Sequence, residues 1–395
     1  MKWILLVAGL ALLAGIWFVG FSGPPETTSL SLAPASSGGR PSAPQDRSGW
    51  LTYHGSFALD GVAGSSVPDA PEKLWTYKAG NRVEVTPVGA DGRVYFTSAK
   101  GGLHAVDLKG AEVWKITIAQ DAFTTPVLLV DGMLLVGSGK GVLHAYEAAT
   151  GKEKWTYDAG GSVQGTPNRI DLPGGKKGIM AISQSDGAIH AIDFDTGKGA
   201  WKGPPGERCD GSAGVGGGLI VMGSCAAALH VYSTEKGEKV RDVPLGKDNE
   251  VAGGVAMSGS IAFAGTRSGK LACVDVAAGK VLWTNGDGQG EAFQTPAVGD
   301  KIVLFGADDG KLFGLQRETG KQVWAFDTGN RPLSPVIAGE RAVVTSGGSL
   351  FVLDLATGKK LWSTSLSDDA TSPAVIAGMI LVGGDDGTVT AYGRK

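Results

Sequence analysis

One stretch, LHAYEAATGKEKW from Leu143 to Trp155, constrains this chain more than any other because it recurs. Leu143 and Ala145 alternate with His144 and Tyr146 at the period of two that a strand requires. Thr150-Gly151-Lys152 is turn chemistry, since glycine takes a positive φ at no steric cost. Trp155 then opens a second strand with a large apolar surface. Related stretches end at Trp114, Trp201, Trp283, Trp324 and Trp362, and a degenerate one, LHVYSTEKGEKVR, puts Arg241 in place of the tryptophan. From the orphan Trp75 onward, successive positions lie 38 to 46 residues apart. A repeat of that period constrains the fold before any local propensity does.

Between one tryptophan and the next strand pair stands a Thr-Pro or Ser-Pro dipeptide: Thr86-Pro87, Thr125-Pro126, Thr166-Pro167, Thr295-Pro296, Ser334-Pro335 and Ser372-Pro373. The two remaining units carry Ser212-Ala213 and Ala252-Gly253 there. An apolar run, a glycine-containing turn and a second apolar run follow, as in VLLVDGMLLVGS (Val127 to Ser138). Each unit thus holds four short strands in about 40 residues, the content of one propeller blade. The expected fold is all-β, an eight-bladed β-propeller of four-stranded antiparallel blades. Leu74-Trp75 lacks the half-unit before it, and VTAY (Val389 to Tyr392) lacks the half after it. Joining the two completes the last blade with an N-terminal strand and leaves the ring without an open end.

Residues Trp3 to Phe21 form an uncharged run of 19 behind Met1 and Lys2. As a helix it reaches about 29 Å, close to the ~30 Å hydrocarbon core. The domain reading is therefore 1–21 as a membrane anchor or signal segment, 22–49 as a disordered Pro/Ser/Gly linker, 50–73 as a lead-in packing on the ring, and 74–395 as the propeller. With Lys2 on the cytoplasmic side, the propeller is expected in the periplasm on an inner-membrane anchor. The alternative is secretion after cleavage of a long signal peptide near Ser22. No cysteine precedes Cys209, which leaves none for N-terminal lipidation. A net charge of −3 and the lack of a basic stripe argue against a nucleic-acid partner.

The combination A-x-D-x-x-T-G-K-x-x-W followed by T/S-P resembles the PQQ-type propeller repeat over roughly Leu74 to Lys395. In that family the tryptophans dock each blade on its neighbour and the Thr-Gly turn positions them, which gives Trp75, Trp114, Trp155, Trp201, Trp283, Trp324 and Trp362 a structural role. Quinoprotein alcohol and glucose dehydrogenases share the repeat. Their adjacent cysteine pair is absent here, since Cys209, Cys225 and Cys273 are all separated, and their calcium ligands find no match. The resemblance also extends to the propeller lipoprotein of the outer-membrane barrel-assembly machinery, similar in length and blade number. It implies no cofactor, with pyrroloquinoline quinone and calcium as the alternative.

A propeller is a scaffold, so function is sought in grafted sites. The residue four before the T/S-P signal reads Arg82, Asp121, Ser162, Arg208, Asp248, Glu291, Asn330 and Asp368, polar in all eight units. Two residues later stand Glu84, Gln164, Asp210 and Glu250, with Phe123, Phe293, Pro332 and Ala370 in the others. Together with Arg331 these residues are expected to ring one mouth of the central channel. Convergent charges at a concave mouth suit binding, although polar loops alone would give the same pattern. Cys209 and Cys225 fall at one end of the same blade and are a candidate disulfide across a short loop, the alternative being two free thiols. His104, His144, His190 and His230 share one strand position in different sheets and read as packing, too far apart for one metal. The Asp-Asp-Gly turns, DFDTG and GSGKG lack the spacing of calcium or phosphate loops. The expected function is a non-catalytic envelope scaffold that binds a protein or peptide partner. A quinone-dependent oxidoreductase or quinone sensor is the alternative.

Overall fold

The repeat divides its strands into two kinds by exposure. In the second strand of the unit, Met133–Gly137, nearly every residue is buried, whereas the fourth, Glu153–Asp158, is exposed or half-buried throughout and alternates between the two. Strands buried on both faces read as continuous apolar runs, and strands with one wet face alternate. The difference shows that units stack face to face, with their first three strands inside. The structure, a computed structural model, describes residues 49–118, 121–206, 211–285, 288 and 290–395. The apolar run at 1–21 and nearly all of the linker lie outside the described residues, as do Arg208, Cys209 and Asp210.

Eight four-stranded antiparallel sheets result. Blade 1 runs from Val88–Ala90 outward to Glu112–Thr117, blade 2 from Leu128–Val130 to Glu153–Asp158, and blade 3 from Val163–Leu172 to Gly199–Lys202. Blades 4 to 7 end on outer strands Lys239–Pro244, Lys280–Asn285, Gln322–Asp327 and Lys360–Ser365. Blade 8 takes Ala374–Ile376, Met379–Gly383 and Thr388–Gly393 from the C-terminus and its outer strand, Glu72–Lys78, from the other end of the propeller. Trp75 faces Ala391 in that antiparallel pair, so the N-terminal strand closes the ring as the two half-units required.

The tryptophans and the Thr-Gly turns are two halves of one joint. Trp75, Trp114, Trp155, Trp283 and Trp324 each donate their indole N–H to a carbonyl just past the third strand of the next blade, at 2.8 to 3.1 Å. Beneath each ring lies the turn glycine of that next blade: a Cβ on Gly151 would stand 2.9 Å from Trp114, and one on Gly358 2.5 Å from Trp324. These glycines also have φ near +70°. Glycine is therefore required twice, for the backbone and for the indole above it. Arg241 lies over Gly279 in the same way, and Trp362 meets Tyr392 of blade 8 edge-on.

The T/S-P signal forms an inner ring. The amide of Thr166 donates to Ser212 Oγ, that of Thr295 to Ser334 Oγ, and that of Ser334 to Ser372 Oγ, at 3.1 to 3.2 Å from one blade to the next. In blade 5 the place belongs to Gly254, where a Cβ would meet Thr295 Oγ1 at 2.1 Å, and not to Ala252-Gly253 as the sequence alignment has it.

Residues 50–67 form a strap across the channel. Trp50 and Gly89 exchange backbone hydrogen bonds at 2.8 Å. Carbonyls of Leu51, Phe57, Ala58, Asp60 and Gly61 accept from the inner-strand amides of Leu129, Val215, Met257, Val298 and Ile337 in turn. Asn168 of blade 3 reaches the Phe57 carbonyl, and Gly378 of blade 8 donates to Ser65 Oγ. All eight blades are bound by one strap. It satisfies inner-edge amides that would otherwise line the channel unpaired.

Candidate functional site

In an antiparallel blade the turn between strands two and three lies at the same end as the loop leading to the next blade. That end is the loop-rich mouth. The carbonyls of Arg82, Ser162 and Glu291 accept from Ala99, Gln184 and Asp308 in the facing turns, at 2.8 to 2.9 Å. In blade 5 this place is held by Glu250, bonded to the Arg267 amide at 2.9 Å. Asp248 sits two residues upstream with φ +64°. The shift arises because buried Asn249 folds the loop back, its amide reaching the Leu245 and Lys247 carbonyls.

The structure brings only part of the expected ring together. Arg82 and Glu84 pair at 2.6 Å but are 58% and 56% exposed, an ion pair worth roughly 0–1 kcal/mol. Asp121 caps its own loop through the Ala122 amide, and Gln164 is half-buried. Asp368 is exposed, while half-buried Phe123 packs edge-on against His144 and Tyr146. Asn330 serves through its carbonyl, which accepts from Thr328 and Ser346 hydroxyls at 2.6 Å.

The densest grouping spans blades 5 to 7. The guanidinium of Arg267 lies 5.2 Å from the centre of the Phe293 ring, and that of Arg331 lies 5.0 Å from it. Arg267 also pairs with Glu291 at 3.2 Å and Arg331 with Asp308 at 3.0 Å. Each guanidinium is thus fixed by a ring and a carboxylate, which lowers the entropy lost when it binds. Glu291, Phe293 and Arg331 were legible from loop spacing. Arg267 and Asp308 were not, because they come from the facing turns. The signal was available, since the same end-of-blade argument relates Cys209 to Cys225. Cys225 is exposed, and Cys209 lies outside the described residues.

His104, His190 and His230 are buried, and His144 is half-buried beside Glu153 of its own blade. His104 Nε2 lies 2.8 Å from Ser98 Oγ, and its Nδ1 3.2 Å from the hydroxyl of Tyr77, which itself donates to Glu112. His230 stands between Ser224 at 2.7 Å and Asp242 at 2.5 Å. The serine–histidine–aspartate order is that of a hydrolase triad, but Ser224 is 1% exposed and also accepts the Ala226 amide. The serine–histidine half recurs at Ser98 and His104, where a tyrosine takes the place of the carboxylate, which marks the pairing as part of the blade. Burial chiefly, helped by the Lys115 charge, pushes His104 down to about 4. Among the described residues no group of three or more His, Cys, Asp or Glu could hold a metal ion. No helix among them is long and apolar enough to cross a membrane.

The family described as "Outer membrane protein assembly factor BamB" matches residues 99–250 and 226–395. The BamB of Burkholderia pseudomallei is 26% identical over 296 residues, covering 69% of this chain and 74% of that protein. The crystal structure of BamB from Moraxella catarrhalis has a TM-score of 0.68 at 18% identity, covering 82% of this chain and 98% of that one. Quinohemoprotein alcohol dehydrogenase from Comamonas testosteroni has a TM-score of 0.72 at 16% identity, over 88% of this chain and 81% of that one. At such identities both structures show the propeller alone. The repeat, the ring closure and the sequence match agree: this chain belongs to the outer membrane protein assembly factor BamB family of PQQ-type β-propellers.

Proposed function

We propose that the chain is a non-catalytic scaffold of the cell envelope that captures a protein partner on the loop-rich mouth, with residues 1–21 anchoring it and the propeller in the periplasm. The observation that carries this reading is Phe293 between Arg267 and Arg331. Arginine and aromatic side chains held in place dominate interface energies. Relatives named for outer membrane protein assembly support a partner among the proteins of that process. For the alternative, a quinone held by calcium, the described residues offer no group of three or more His, Cys, Asp or Glu, and the strap hydrogen-bonds along the inner strands of the ring.

The test is a photocrosslinking amino acid at exposed Asn330 in intact envelopes. A discrete protein adduct is expected, and Arg267→Ala with Arg331→Ala should reduce it at least tenfold. An adduct of equal yield in the double variant would place the partner elsewhere. Titration of the protein with pyrroloquinoline quinone and calcium is expected to give no saturable heat.

A further inference from the structure

The face opposite the mouth carries the turns between strands one and two and between strands three and four, and there the strap leaves clefts on its flanks. One of about 590 Å³ lies against blades 1 to 3. Its floor is apolar, from Leu51 and Phe57 of the strap and from Leu129 and Val130. Around that floor stand three cations, Arg93, Arg169 and Lys177, and two carboxylates, Asp91 and Asp131. Asp171, the partner of Arg169, adds a third carboxylate, so the charges around the cleft balance and what matters is how each cation is engaged.

The cations are not equally engaged. Lys177 pairs with Asp131. Arg169 pairs with Asp171 at 2.9 Å and lies 5.8 Å from the centre of the Phe57 ring, while its buried Nε has no hydrogen-bond partner. The Arg93 guanidinium is tied to the main-chain carbonyls of Ala148 and Ala149, at 3.4 and 3.1 Å, which orients it without neutralising it. A second cleft of about 380 Å³ shares Leu51, Phe57 and Arg169, and Gly216-Gly217-Gly218 forms its far wall. The Gly218 carbonyl is taken by the Thr234 amide and hydroxyl at 3.1 Å, and what the glycines offer is a wall without side chains that another main chain can approach closely.

We infer that the two clefts form one site for the C-terminal end of a polypeptide. The terminal carboxylate meets Arg93 with the Arg169 edge, the last side chain fills the apolar floor, and the preceding residues run past Phe57 along the glycine wall. A free carboxylate suits oriented guanidiniums. The continuation into a second cleft favours a peptide over a small organic acid. This site shares no residue with the mouth, so the two proposals fail separately.

The experiment is fluorescence anisotropy of the full chain with a fluorescein-labelled hexapeptide, Gly-Ser-Thr-Val-Ser-Phe, prepared as the free acid and as the C-terminal amide. The free acid is expected to bind saturably and the amide at least tenfold more weakly. Arg93→Gln should remove that preference, and Lys177→Gln, farther from the fold's main-chain ties, should weaken the acid selectively if the first variant folds poorly. Equal binding of acid and amide, no saturation by the acid at millimolar protein, or an unchanged preference in both variants would each overturn the assignment.

Discussion

At the scale of single residues, the glycine of each Thr-Gly turn and the tryptophan above it explain why the repeat is so easily seen. The glycine is fixed by a positive φ and by the side chain lying over it, and that side chain is tryptophan in all but the blade where Arg241 takes its place. Gly320→Ala would place a Cβ 2.4 Å from Trp283 at φ +68°. The left-handed backbone costs about 1–2 kcal/mol and the overpacking a further ~1–3 kcal/mol. Gly132→Ala, at φ +76° with nothing within 4 Å, should cost only the first. Urea midpoints of the two variants would separate these contributions. Arg241→Trp should act in the opposite direction, since it supplies the missing ring over Gly279 and removes a buried Nε that has no hydrogen-bond partner; a higher melting temperature is expected. The histidines were legible as packing but their partners were not, because Tyr77 reaches His104 from the neighbouring blade. The pairing follows a rule: the residue two past the tryptophan meets the histidine position of the next blade, as Phe326 meets Phe351 at 5.5 Å. His104, held near 4 when folded against 6.5 in its ordinary state, binds its proton more readily in the unfolded chain. It therefore contributes stability fully above pH 6.5, and that contribution is lost as pH falls toward 4. A Tyr77→Phe, His104→Phe variant, copying the Phe pair, should show a smaller drop in urea midpoint between pH 7 and pH 4.5. An identical drop would remove His104 from the acid response.

At the scale of elements, the strap was the least legible part of the chain and is the most connected. Residues 50–67 show no period of two or of 3.6, because their hydrogen bonds go to amides of blades far away in sequence and no neighbouring strand imposes an alternation. Trp50 is wholly buried and Phe57 and Leu51 half-buried, so the segment is held by side chains as well as carbonyls. Trp50→Ala should cost about 3–5 kcal/mol, the usual range for a large buried aromatic. Since the strap binds every blade, the loss should appear as one cooperative transition at lower urea, recorded alike by tryptophan fluorescence and far-ultraviolet circular dichroism. Two separated transitions would show that the strap unfolds independently of the ring. The mouth sits between these extremes. Loop spacing marked Glu291 and Arg331, but Arg267 and Asp308 arrive from turns that the repeat alignment treats as mere connections.

At the scale of the whole molecule, the ring has one joint unlike the other blades. Seven blades are continuous in sequence, and each of their hairpins closes a short loop. Blade 8 instead pairs Glu72–Lys78 with Thr388–Gly393, where Thr76 and Thr390, 314 residues apart, stand hydroxyl to hydroxyl at 3.2 Å. Closing so long a loop costs more chain entropy than any hairpin in the fold. The joint is therefore where opening of the ring should begin, exposing the unpaired edge of Thr388–Gly393 to other chains. A covalent link there acts on the unfolded state, which it deprives of the freedom that the joint must otherwise remove. In the chain-entropy account a loop of this length is worth about 6 kcal/mol, less any strain the bridge introduces. The paired variant Thr76→Cys, Thr390→Cys should accordingly melt several degrees above the parent when oxidised and aggregate less on heating, and dithiothreitol should reverse both effects. The same pair of substitutions between adjacent strands within blade 2, His144→Cys with Thr156→Cys, closes a short loop and should gain much less. If the two bridges stabilise equally, or if the oxidised blade 8 variant still aggregates like the parent, opening starts at another blade and the ring behaves as eight equivalent units.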